Sequence, residues 1–246
     1  MNHRSRPTCL VWAVCALTLS FSVPQVRADT QPLAPDQTAY GLTRAQWLEA
    51  FIQWWGSIPV SSSPWRNYDS TGLRAGVGQH GPVWFLPGGF AGLQVNRTVV
   101  VPEGKAIFRG VLFRNSTAVP GAMTDASLLK AADLSVILPQ FTRMEASLDG
   151  VPVGDLLSYR VQTDVFSIDV VPSDNYWQLP QSGGLHPTGK DNRLTFASGA
   201  LVLLFPPLPV GTHVFSFVGE LIQNGQPAKA TRTITIRVQK PNVPLP

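Results

Sequence analysis

The hydrophobic rhythm of the chain changes three times. An apolar run fills 9–23 and stops at Pro24. A polar stretch with Pro32 and Pro35 follows. Then apolar positions recur at helical spacing: Trp47, Leu48, Phe51, Ile52, Trp54 and Trp55. At 3.6 residues per turn they occupy an arc of about 160°, with Gln46, Glu49 and Gln53 opposite. Thr43 and Gln46 have the spacing of a capping box, and Gly56 and Pro59 end the pattern, so a helix is predicted over 43–55. Its polar face lacks the Lys and Arg of membrane-surface helices. It is expected to cap a β-core, and docking on a membrane surface or a partner protein is the sharper alternative.

Residues 57–81 are rich in Ser, Pro, Gly and Asn and read as one long irregular stretch. Beyond it the period drops to two. Short β-type runs stand at 83–86, 98–101 and 106–113, with a turn at 102–105. Thr124 and Asp125 open a second expected helix over 126–138, closed by Pro139. Asp149-Gly150 is a two-residue hairpin signal after a strand ending at Leu148. Phe166, Ile168 and Val170 alternate with Val165, Ser167 and Asp169, the period of a half-buried strand. One or two strands are expected over 194–205, around Ser198-Gly199, and another over 213–218. In 231–238, Ile234, Ile236 and Val238 share one face, and Thr233, Thr235 and Arg237 the other. Many short strands between Gly/Pro turns predict a mainly β fold. The expected architecture is an antiparallel sandwich of jelly-roll or immunoglobulin-like type, with one N-terminal aromatic helix and one further short helix. No fixed-period repeat points to a propeller or solenoid.

Composition alters this picture chiefly at the amino end. Arg4 and Arg6, the apolar run, and Val26-Arg27-Ala28 before Asp29 have the three-part build of a secretory signal peptide. The apolar run is shorter than the ~20 residues of a spanning helix. The expected organisation is a signal peptide at 1–28, a flexible lead at 29–42 and a single sandwich domain at 43–246. The formal charge of +4 and the pI of 9.3 then lose their meaning. Removing Arg4, Arg6 and Arg27 takes the 19 basic residues to 16, against 15 acidic. No basic run remains to track phosphates, so no nucleic-acid partner is expected. Cys9 and Cys15 leave with the leader, so the exported chain holds no disulfide and no thiol nucleophile. No transmembrane segment follows cleavage. Export to the periplasm or the medium is expected.

Three stretches occur together: Asp69-Ser70-Thr71-Gly72, then 78–86 (GQHGPVWFL), then Arg97 with Val101-Pro102-Glu103-Gly104-Lys105. With the Trp54-Trp55 helix before them and 207–213 (PLPVGTH) after, they resemble a family of bacterial exported β-rich proteins of unknown function. The resemblance covers most of the chain after the leader. It implies an exported β-rich domain and no established activity. It also implies a cysteine pair in relatives near positions 76 and 99, where this chain has Gly76 and Val99. The 207–213 stretch is also similar to the late strand pair of immunoglobulin-like domains, a likeness of fold only.

Candidate chemistry is sparse. Three histidines follow the leader, His80, His186 and His213, without metal-motif spacing, so no metal or other cofactor is expected. His213, at the start of a strand, is expected to pack and to bond backbone. His80, in the long loop with Asp69, is the best candidate for acid–base work. Asp164, Asp169, Asp174 and Asp191 admit a carboxylate pair, and Asp174-Asn175 and Asp191-Asn192 a calcium site, although turn capping is the commoner use of such residues. Trp65, Tyr68, Tyr176 and Trp177 lie in or beside expected loops. There they either stack on a ligand ring or seal the end of the sandwich. The reading is a non-catalytic binding or structural module of the envelope or medium, with a polysaccharide or an envelope protein as partner. The alternative is a hydrolase or lyase acting on an extracellular polysaccharide through His80 and Asp69.

Overall fold

The computed structural model describes residues 30–65, 69–88, 94–171, 173–179, 184–185 and 192–241. The expected leader at 1–28, Tyr68, His186 and Asp191 lie outside them.

The capping box forms as the sequence predicts. The Thr43 side chain accepts from the Gln46 amide, and the Gln46 side chain accepts from the Thr43 amide at 2.9 Å, opening α1 (Arg44–Gly56). All six apolar residues of the expected arc are buried. Hydrogen bonds tie the lead to α1 and to the strand at 193–205. Arg44 donates to the carbonyls of Leu33, Ala34 and Pro35 on one side and to Val202 at 2.9 Å on the other. The Leu33 amide bonds the Leu204 carbonyl at 2.8 Å.

Among the described residues ten strands follow: β1 (Val83–Phe85), β2 (Val95–Pro102), β3 (Ala106–Ala118), β4 (Phe141–Leu148), β5 (Val151–Pro152), β6 (Arg160–Gln162), β7 (Phe166–Asp169), β8 (Arg193–Phe205), β9 (Gly211–Gln223) and β10 (Gln226–Gln239). They form two five-stranded sheets. The first runs β1-β3-β8-β6, with β7 also paired to β8, and the second runs β2-β10-β9-β4-β5. The fold is mainly β and sandwich-like. Most ladders are antiparallel, but β1 pairs with β3, and β2 with β10, in parallel, so both sheets are mixed. The chain leaves the first sheet to lay down β2 in the second and returns to place β3 beside β1. Such a crossover joins strands running in one direction.

Local chemistry sets the turns. Asp149-Gly150 takes positive φ at both positions (53° and 76°), as a type I′ hairpin requires, and Asn224-Gly225 does the same between β9 and β10. The helix expected over 126–138 is shorter: α2 is Asp125–Ala132. Asp133 adopts an extended backbone and caps Ser135 through its carboxylate at 2.8 Å, so two short 3₁₀ turns carry the chain to Gln140. The stretch 194–205 is one strand. Gly199 lets it run on, because the Ala132 carbonyl at the end of α2 occupies the place of a Cβ there.

β8 is buried on both faces. Phe196, Ala200, Val202 and Leu204 pack toward α1, and Leu201, Leu203 and Phe205 toward the second sheet. The molecule thus has three layers: an aromatic layer carried by α1, the first sheet, and the second sheet.

Candidate functional site

β1 is only three residues long and covers β3 from Ala106 to Phe108. The Leu86 amide adds one more bond, to the Phe108 carbonyl, and among the described residues β1 pairs no further residue of β3. A bulge between Gly110 and Leu112 reshapes β3 where its partner ends. Residues of β3 between Gly110 and Thr117 line a cavity of about 260 Å³.

The aromatic layer forms one wall. Trp55 is its hub, with ring centroids 4.4 Å from Trp65, 4.7 Å from Tyr176 and 5.0 Å from Trp177. Asn175 caps the turn that carries Tyr176 and Trp177, and its amide group donates to Val171 O at 2.8 Å. Arg97 holds the loop beneath Trp65. It donates to Pro64 O at 2.7 Å, to Asp69 O at 3.3 Å and to Pro87 O.

Two arginines form the opposite wall. Arg109 of β3 and Arg232 of β10 are 1% and 9% exposed. Both point into the space between the sheets, because each lies in phase with an inward apolar row: Ile107 for Arg109, and Ile234, Ile236 and Val238 for Arg232. Arg109 donates to Leu86 O at 3.3 Å and lies over the Phe215 ring. Arg232 donates to Val111 O at 2.6 Å and lies over Phe217. Among the described residues neither makes an ion pair, and the Nε of each has no hydrogen-bond partner. Burial, reinforced by the cations of Arg232 and Arg97, pushes the Arg109 guanidinium well below the ordinary arginine pKa. These arginines are absent from the expectations drawn from sequence. The signal was available in the strand period: Arg232 falls in step with the inward row of 234, 236 and 238.

The residues singled out from sequence separate into two groups. Trp65, Tyr176 and Trp177 meet at the cavity, joined by Trp55. Asp69 and His80 share neither a cavity nor a hydrogen bond among the described residues. Asp69 is 5% exposed and spends its carboxylate on its own loop, accepting from the amides of Thr71, Gly72 and Arg74 and from the Thr71 hydroxyl at 2.7–3.1 Å. Burial alone raises its pKa, but these donors outweigh it and hold the carboxyl below the usual aspartate range. His80 is exposed. Its Nδ1 is engaged by Gly78 O at 2.9 Å, and it edges a shallow groove against α1 lined by Trp47, Gln53 and Trp54 but by no carboxylate. His213 bonds backbone as expected, at Pro209 O, and also Asp149 Oδ2 at 2.7 Å, so both ring nitrogens are engaged. No cluster of three or more His, Cys, Asp or Glu able to hold a metal occurs among the described residues, and no described helix is long and apolar enough to cross a membrane.

Comparison with protein-family models, with the curated proteins and with the solved structures yields no match.

Proposed function

We propose that the protein is an exported, non-catalytic binding module whose ligand places one ring in the cavity between Trp55, Trp65, Tyr176 and Trp177. The observation that carries this reading is the convergence of these four side chains on one cavity beside β3. Aromatic faces stack on planar or sugar rings. A volume of about 260 Å³ lies just under the ~300–1,000 Å³ of typical small-molecule sites, which suits a single ring or the terminal unit of a polysaccharide rather than a chain lying across the surface. The hydrolase or lyase alternative draws less support. Its carboxylate, Asp69, is committed to four donors in its own loop. Tryptophan emission titrated with neutral and acidic monosaccharides and with oligosaccharides ending in them tests the reading. A saturable change is expected; flat emission at millimolar concentration for every ring compound would overturn it. Export is tested separately: fractionation of the producing cells should find a chain beginning at Asp29 outside the cytoplasm.

A further inference from the structure

We infer that the ring taken into this cavity carries a negative charge, a carboxylate as in a hexuronic acid, held by Arg109 and Arg232. The inference rests on the ring-binding reading above and adds the chemical class of the ligand. Both arginines line the cavity and both residues are more than nine-tenths buried. Arginine presents five donors in a planar fork, and one carbonyl satisfies only part of it. Here Arg109 has Leu86 O and Arg232 has Val111 O, which leaves donors on each without a partner among the described residues. Buried charges in proteins are ordinarily paired. These two, with Arg97 beside them, form a cluster of like sign, and an anion entering from the cavity would supply the missing acceptors and offset the repulsion.

Gly88 has a specific place beside Arg109. Gly88 lines the cavity, and a Cβ at that position would lie 3.2 Å from Arg109 Nη1 and 3.5 Å from the Trp65 ring. Glycine thus keeps clear the junction of guanidinium and indole, where a charged group attached to a ring would sit. Carboxylates pair with arginine through two parallel hydrogen bonds, which makes the site selective for geometry as well as charge.

The test uses the full exported chain with three probes, D-glucuronate, D-glucose and sulfate, read by tryptophan emission and by the shift in Tm. Glucuronate is expected to bind at least tenfold more tightly than glucose and to raise Tm. Asn115→Asp places a carboxylate at an exposed position on the lining and should weaken glucuronate at least tenfold and glucose by far less. Arg232→Met should abolish the preference. If that variant does not fold, Asn115→Asp decides alone. Equal binding of glucose and glucuronate would overturn the inference and leave the ring reading standing. Sulfate binding as tightly as glucuronate, with glucose inert, would support the anion site and overturn the ring reading. A protein that responds to none of the three loses both.

Discussion

The two faces of the first sheet are built differently. The outer face meets α1 through Trp47, Phe51, Trp54, Trp55, Trp65, Phe85, Phe108, Trp177 and Phe196. The inner face meets the second sheet through Val99, Val101, Ile107, Leu201, Leu203, Ile234 and Ile236. Aliphatic side chains between two sheets are held by register, since each strand presents alternate residues to the same layer. Large rings between a helix and a sheet are held by one another, so their packing is shared among a few residues. The cavity lies where the layers meet, at the end of β1, and takes its aromatic wall from one and its charged wall from the other. Neither layer alone would make such a site.

The largest test of the comparison is to remove a central ring from the outer layer. Phe51 is fully buried and contacts the rings of Trp54, Trp65, Phe85, Phe108 and Phe113 at 5.1–5.9 Å. Phe51→Ala should cost about 3–5 kcal/mol in denaturant unfolding and shift the tryptophan emission, since Trp65 rests on it. The matching change in the inner layer, Ile236→Val, should cost about 0.5–1.5 kcal/mol and leave the emission alone. Equal emission shifts from the two would mean that the layers are not independent.

Asp69 comes next. Asp69→Asn keeps the shape but loses charge-assisted acceptance from four donors, and about 1–3 kcal/mol is expected. The pH dependence has a definite sign. Because the folded carboxyl titrates below the ordinary aspartate range, its contribution is present above the unfolded value of about 3.9 and is lost as pH falls through the depressed folded value. The acid limb of the wild-type stability curve should therefore be steeper than that of Asp69→Asn. Parallel limbs would remove Asp69 as its cause. A smaller effect belongs to Thr43→Ala, which removes the side-chain cap of α1 and should lower stability by about 1 kcal/mol without changing the tryptophan emission.

Much of the scaffold was legible because local rules and global packing agree. The Thr43–Gln46 box, the Asp149-Gly150 turn and the inward row at 234, 236 and 238 each state their geometry in a few residues. The parallel pairings were not legible, since nothing local in β2 says that it lies beside a strand some 130 residues later. The aromatic wall was legible in part: Trp65, Tyr176 and Trp177 stood out as loop aromatics, but Trp55 read only as a core residue of a helix. The charged wall was missed because a buried arginine contradicts the usual inward pattern, and such contradictions concentrate at functional sites.

The smallest expected effect on stability is also the sharpest. In the absence of ligand, Arg232→Met exchanges a buried cation beside Arg109 for an apolar side chain. It loses the charge-assisted bond to Val111 O, worth about 1.5–3 kcal/mol, and relieves like-charge repulsion and the desolvation of a charge. These effects oppose one another, so the Tm of the unliganded variant should stay at or above the wild-type value. A fall as large as that of Phe51→Ala would make Arg232 a strut between the sheets, and the charged wall would then be part of the inner core. A maintained Tm with lost ligand response would instead mean that the inner layer tolerates this arginine for the sake of what enters the cavity, as expected of a binding residue that works against stability.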